Sequence, residues 1–271
     1  MIKKIFKISI WILLLTGVIV ALGFAQKNES KQLCKDFKIN IAREGENYFV
    51  EEDDIRQLLK DKGDSVIGQQ ISALDVNKIE KIVLTNPWVA NADVCMSIDG
   101  ILQIDIKQRN PILRIINVSG ESYYIDKEGK LMLWSDDFTP RILVANGQIH
   151  ETFNIWYNIS IDEIKKSDTL TKVTILDDLF DIAQFISTDN FWNAQVPEIF
   201  LNAKGEIELV PQVGAHKIIF GDVSDIEGKF AKLKTFYSQG LNYTGWNLYD
   251  TINLKYKNQV ICTKINQNGN K

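Results

Sequence analysis

The feature that most constrains this chain is an uncharged apolar run from Ile8 to Ala25, in which Ser9 and Thr16 are the only polar side chains. At the helical rise such a run spans roughly 27 Å, just enough to cross a bilayer core. Lys3, Lys4 and Lys7 precede it. The positive-inside rule then puts residues 1–7 in the cytoplasm and everything after Gln26 on the other side of the membrane. The triplet Gly23-Phe24-Ala25 also fits the small-x-small site of a cleaved secretory signal. The residues alone admit both an anchor and a cleaved signal, and either one exports the remaining chain.

About 245 residues follow, enough for one large domain or two modest ones. Hydrophobic residues at 45% and charged residues at 24% are globular values, so a core is available. A net charge of −4, with no Lys/Arg cluster beyond residue 7, argues against a nucleic-acid partner. Three cysteines, Cys34, Cys95 and Cys262, cannot all pair within one chain. Cys95 and Cys262 lie in strand-like runs and read as buried small apolar residues; whether they pair with each other is open.

Phe37, Ile39 and Ile41 alternate as a short strand. Glu51 to Asp54 open a helix whose apolar face carries Ile55, Leu58 and Leu59, with Lys60, Lys62 and Gly63 at its end. The acidic cluster reads as helix-dipole complementarity rather than a cation site. Asp75 is the N-cap of a second helix, with Leu74 and Ile79 as a hydrophobic staple, and Asn86-Pro87 ends it. Val94, Met96 and Ile98, then Asp99-Gly100, then Leu102, Ile104 and Ile106 make a hairpin. The order over residues 36–110 is strand, helix, helix, strand, strand.

This βααββ order is that of a POTRA module. Just outside a membrane anchor, such a module resembles the FtsQ/DivIB family of bacterial cell-division proteins. The residues carrying the resemblance are Asn86-Pro87-Trp88-Val89, Val94, Gly100-Ile101-Leu102 and Gln108-Arg109-Asn110-Pro111. The likeness also favours the anchor over the cleaved signal, because a division protein of this type works only when held at the membrane.

Beyond Pro111, Tyr123-Tyr124-Ile125 and Lys130 flank a turn at Asp126 to Gly129. Arg141 to Val144 is a strand ending in a turn at Asn146-Gly147. Residues 148–168 show no clear period. A helix is expected from about Leu170 to Ser187, with Leu176, Leu179, Phe180, Ala183 and Ile186 buried. An aromatic loop, Asp189 to Val196, precedes a β-meander through Glu198–Asn202, Glu206–Val210 and Lys217–Phe220. Ser224 and Glu227 read as a capping box, starting a helix with Phe230, Leu233 and Tyr237 inward and Gly240 as its stop. Trp246 to Tyr256 and Gln259 to Lys264 are the last strands, joined at Lys257-Asn258.

In this last third, Gly221-Asp222, Glu227-Gly228-Lys229-Phe230, Leu233, Tyr237 and Tyr256-Lys257-Asn258-Gln259-Val260 are similar to Bacteroidetes-type members of the same family. The expected fold class is α+β. It comprises a single N-terminal transmembrane helix (8–25), a linker (26–35), a POTRA-like domain (36–110), a β-rich domain with two helices (111–265) and a polar tail (266–271). An edge strand at Gln259 to Lys264 offers unpaired backbone groups to a partner strand. Val260, Ile261, Cys262 and Thr263, with Gln259 and flanking Tyr256 and Lys257, are the expected contact residues. The resemblance implies an FtsB-like partner, itself paired with an FtsL-like protein, and a part in regulating septal peptidoglycan synthesis.

No catalytic constellation stands out. His150 and His216 are remote from one another, and no nucleophile elbow, phosphate loop or zinc-ligand spacing is present. The chain therefore reads as non-enzymatic, without a cofactor. The alternative is a POTRA-type envelope transport or outer-membrane assembly factor, but helices near 170–187 and 225–238 do not suit a membrane barrel.

Overall fold

The computed structural model describes residues 11–20, 33–43, 45, 47–62, 66–97 and 99–265. Residues 11–20 are helical with every side chain exposed. Among the described residues no helix is long and apolar enough to cross a membrane. The expected cytoplasmic segment, both ends of the expected transmembrane run, most of the expected linker, the Gly63 stop and the polar tail lie outside the described residues. The chain divides into two compact units, one ending at Gln108 and one starting at Arg109.

The first unit is built on β1 (Asp36–Ala42), α1 (Glu52–Lys62), α2 (Val76–Val83), β2 (Val89–Met96) and β3 (Ile101–Gln108). Its sheet order is β1-β3-β2, with β1 parallel and β2 antiparallel to β3. Leu102, Ile104 and Ile106 point inward from the central strand and pack with Ile55 and Leu59 of α1 and Ile79 and Val83 of α2 as the buried set. Asp75 caps α2 by accepting from the Lys78 N–H at 3.1 Å. The helix stops at Val83, ahead of Asn86-Pro87, because Asn86 turns the chain by accepting from the Trp88 N–H at 2.9 Å. The unit reaches upstream of Asp36: buried Cys34 takes backbone bonds from Gly68 and to Gln69, both at 2.8 Å. Cys95, expected to be buried, is exposed, because it faces outward on edge strand β2.

The second unit has β4 (Pro111–Ile116), β5 (Ser122–Asp126), β6 (Leu131–Leu133), β7 (Leu143–Gly147), α3 (Phe153–Trp156), α4 (Ile161–Lys165), α5 (Leu176–Thr188), α6 (Asn190–Gln195), β8 (Glu198–Leu201), β9 (Ile207–Val210), β10 (Lys217–Gly221), α7 (Ile226–Thr235), a π-helix (Phe236–Leu241), α8 (Asn242–Thr244), β11 (Tyr249–Asn253) and β12 (Ile261–Lys264). The strands form one sheet in the order β12-β11-β10-β9-β8-β7-β4-β5-β6. It has two edges, so it is not a closed barrel. Alternate residues (Leu113, Ile115, Ala145, Ile199, Leu209, Ile218, Phe220, Ile252) meet the buried faces of α5, α6 and α7 in one core.

The expectation of only two helices here is corrected. The additional helices α3, α4 and α6 are four, five and six residues long, about one turn each, too short to show a period. The aromatic loop after α5 is α6: the Asp189 carboxylate accepts from the Phe191 and Trp192 N–H groups, and Trp192 turns into the core. Ser224 does not cap α7. Its N–H and hydroxyl are both taken by the Asp222 carboxylate, so Asp225, at φ 52°, becomes the cap and accepts from the Gly228 N–H. Gly240 is not a stop either; the helix widens into the π-turn, runs through α8 and ends at Gly245, φ 92°. Gly147 ends no turn: it lies within β7, where a Cβ would stand 2.2 Å from the Leu201 carbonyl oxygen. Asp126 sits in the expected turn but is buried, ion-paired with Arg109 at 2.7 Å.

Candidate functional site

The strongest candidate surface is the C-terminal end of the large sheet. β11 runs parallel to β10 and antiparallel to β12, and among the described residues β12 has no strand on its far side. The register pairs Thr251 with Thr263, Ile252 with Cys262 and Asn253 with Ile261. The Ile265 N–H donates to the Leu248 carbonyl at 3.1 Å. Because hydrogen-bonding direction alternates along a strand, the backbone groups of Ile261 and Thr263 face β11, and those of Cys262 and Lys264 face outward. The side chains alternate in the other sense: Val260 and Cys262 pack against the core, while Ile261 is 43% exposed.

A groove of about 610 Å³ lies beside this edge. One wall is α7 and the π-helix, through Ala231, Lys232, Thr235, Phe236 and Gln239; the other is Asn258 to Val260. The helical wall thus faces the turn that leads into the last strand. Gly240 permits this shape, since a Cβ there would lie 2.8 Å from the Phe236 ring. Gly228 likewise leaves room for the Asp225 carboxylate that caps the helix. The Lys232 ammonium donates to the carbonyls of Leu254 (3.1 Å) and Tyr256 (2.8 Å), fastening the chain that leads into β12. Asn258 makes the return turn at φ 60°.

The structure brings the expected residues to one place. Tyr256, Lys257 and Gln259 are exposed on the turn, Val260 half-buried behind it, and Ile261, Cys262 and Thr263 form the strand. Burial pushes the Cys262 thiol up, which keeps it protonated. Sequence reasoning missed the helical wall. Its signal was a second stripe along α7 and the π-helix (Gly228, Ala231, Lys232, Thr235, Phe236, Gln239) at helical spacing, apart from the core stripe.

His216, expected to be a hydrogen-bonding strand-end residue, is buried with Nε2 3.0 Å from the Tyr237 hydroxyl, and burial lowers its pKa. Among the described residues no group of three or more His, Cys, Asp or Glu side chains could hold a metal ion.

Comparison with family models gives two matches. Residues 110–263 match the model described as FtsQ/DivIB, C-terminal related. The chain belongs to the FtsQ/DivIB-related family. Residues 32–107 match a POTRA-like domain, which agrees with the upstream start at Leu33 and Cys34. Together the two matches make it a cell-division protein with a POTRA-like domain, of families that are in general non-enzymatic. No curated protein matches the chain. The family match ends at Thr263, inside β12, so the open edge is part of the matched domain.

Proposed function

We propose that this FtsQ/DivIB-related protein is a membrane-anchored scaffold of the division machinery that captures a partner by strand addition at β12. The anchor is the apolar run 8–25, with residues 1–7 in the cytoplasm and both folded units outside the inner membrane, in the periplasm at the division septum. The partner is an FtsB-like protein paired with an FtsL-like one. Their capture links early and late division components and contributes to regulating septal peptidoglycan synthesis.

The observation that carries the reading is an edge strand whose entry turn lines a groove against a helix. A strand laid along β12 would take backbone bonds from Cys262 and Lys264. Its alternate side chains would extend the row of Val260 and Cys262 on the helix-covered face, beside the groove lined by Lys232, Thr235 and Phe236. Main-chain bonds supply affinity and the groove supplies selection.

The test is capture of the FtsB-like protein from membranes. Removing Gln259 to Lys271 should abolish capture while the remaining chain stays folded. Ala231→Trp, which fills the groove from an exposed helix position, should weaken capture at least tenfold without lowering Tm. Capture that survives both changes would refute the reading. Depletion should give filamentous cells; normal division with a leaky outer membrane would point to envelope assembly instead.

A further inference from the structure

A second cavity, of about 380 Å³, opens at the other side of the same unit, where β7 and β8 begin and α6 ends. Its lining has a consistent chemistry. Among the described residues that line it, Arg141 is the only charged one; Asn190, Asn193 and Gln212 supply carboxamides, and Ile142, Val196 and Pro197 are among the apolar residues. No acid lines it. The guanidinium and the three carboxamides belong to exposed residues and make no hydrogen bond or ion pair among the described residues, so a ligand would meet them in exchange for water.

The frame that carries these groups is fixed. Asn190 and Asn193 are three apart on α6 and so share a face; that helix is capped by Asp189 and anchored by buried Trp192. The Gln212 N–H donates to the Gln195 carbonyl at 2.7 Å, and the Val144 N–H to the Pro197 carbonyl at 3.1 Å.

We infer that this cavity binds the carboxylate end of a short peptide. A guanidinium without a neighbouring acid suits a carboxylate, which it can meet with two parallel N–H donors. Carboxamides donate and accept at once, as a peptide group requires, whereas a simple oxyanion would use only their donors. The apolar part of the lining can take side chains, and the volume lies at the small end of ligand sites. The inference is independent of partner capture at β12.

The test uses the full chain in detergent and N-acetyl-dialanine as probe, against its C-terminal amide and inorganic phosphate. Calorimetry should show saturable binding of the free acid, at least tenfold weaker binding of the amide, and no better binding of phosphate. Arg141→Ala, an exposed position, should lose tenfold or more with Tm unchanged, and Asn193→Ala several-fold. Equal binding of acid and amide, preference for phosphate, no saturable binding up to millimolar probe, or an Arg141→Ala protein that binds as well as the parent would each overturn the assignment.

Discussion

The ammonium of Lys232 donates to the carbonyl of Tyr256 at 2.8 Å, and so α7 holds the chain twenty-four residues later that leads into the edge strand. A partner strand needs an edge that is already extended, since ordering it on binding would cost affinity. Lys232→Met keeps the aliphatic stem and removes both bonds to carbonyls. It should lower stability by about 1 kcal/mol and weaken partner capture several-fold. The check is a thermal melt beside a capture titration. A variant with full loss of Tm and unchanged capture would show that Lys232 serves only the fold.

The alternation along β12 makes proline a directional probe. Proline removes one N–H. At Lys264 that N–H faces away from the sheet, so Lys264→Pro should abolish capture with little change in Tm, while Lys264→Gln, which removes only the charge, should capture normally. At Thr263 the N–H faces β11, so Thr263→Pro should lose about 1–3 kcal/mol of stability. Denaturant titrations beside capture assays separate the two effects.

The first turn of α5 gives the protein a pH dependence. Asp178 is pushed up to about 6, first by burial and then by Asp177, Asp181 and Asp222, with Lys165 opposing. Its folded pKa lies above its unfolded value, so the folded state holds more protons between roughly pH 4 and 6. Stability therefore falls as pH rises through that window and stays lower above it. Asp178→Asn should stabilise the protein at pH 7.5 by about 1–2 kcal/mol, allowing for partial solvent contact, and flatten the profile between pH 4 and 6. Chemical denaturation at four pH values tests this. Asp222 works in the opposite sense: Lys229 and Ser224 hold it down to about 2, so its contribution is lost only in strong acid.

Much of this was legible before any coordinates. Leu102, Ile104 and Ile106 announced β3 by strict alternation, and Leu176, Leu179, Phe180, Ala183 and Ile186 announced α5 by helical spacing; all eight are buried. The edge strand was legible from its turn and its own alternation. The rest depended on competition that local pattern does not reveal. Ser224 has the right spacing for a capping box, but Asp222 two residues back claims its hydroxyl. Gly240 looks like a stop, yet the helix absorbs it by widening to a π-turn. Asp126 fits a turn equally well exposed or buried, and only Arg109, folded back across seventeen residues, decides it. The groove eluded the sequence because its walls come from the polar side of α7 and a turn some twenty-five residues later.

The central claim, that β12 is completed by a strand from the partner, is tested most directly by amide hydrogen exchange along residues 260–265, with and without the FtsB-like protein. Before binding, Ile261, Thr263 and Ile265 should exchange slowly, because their N–H groups are held by β11, and Cys262 and Lys264 quickly. On binding, Cys262 and Lys264 should slow by about a hundredfold or more, matching their neighbours. Unchanged fast exchange at Cys262 and Lys264 in a saturated complex would contradict the account.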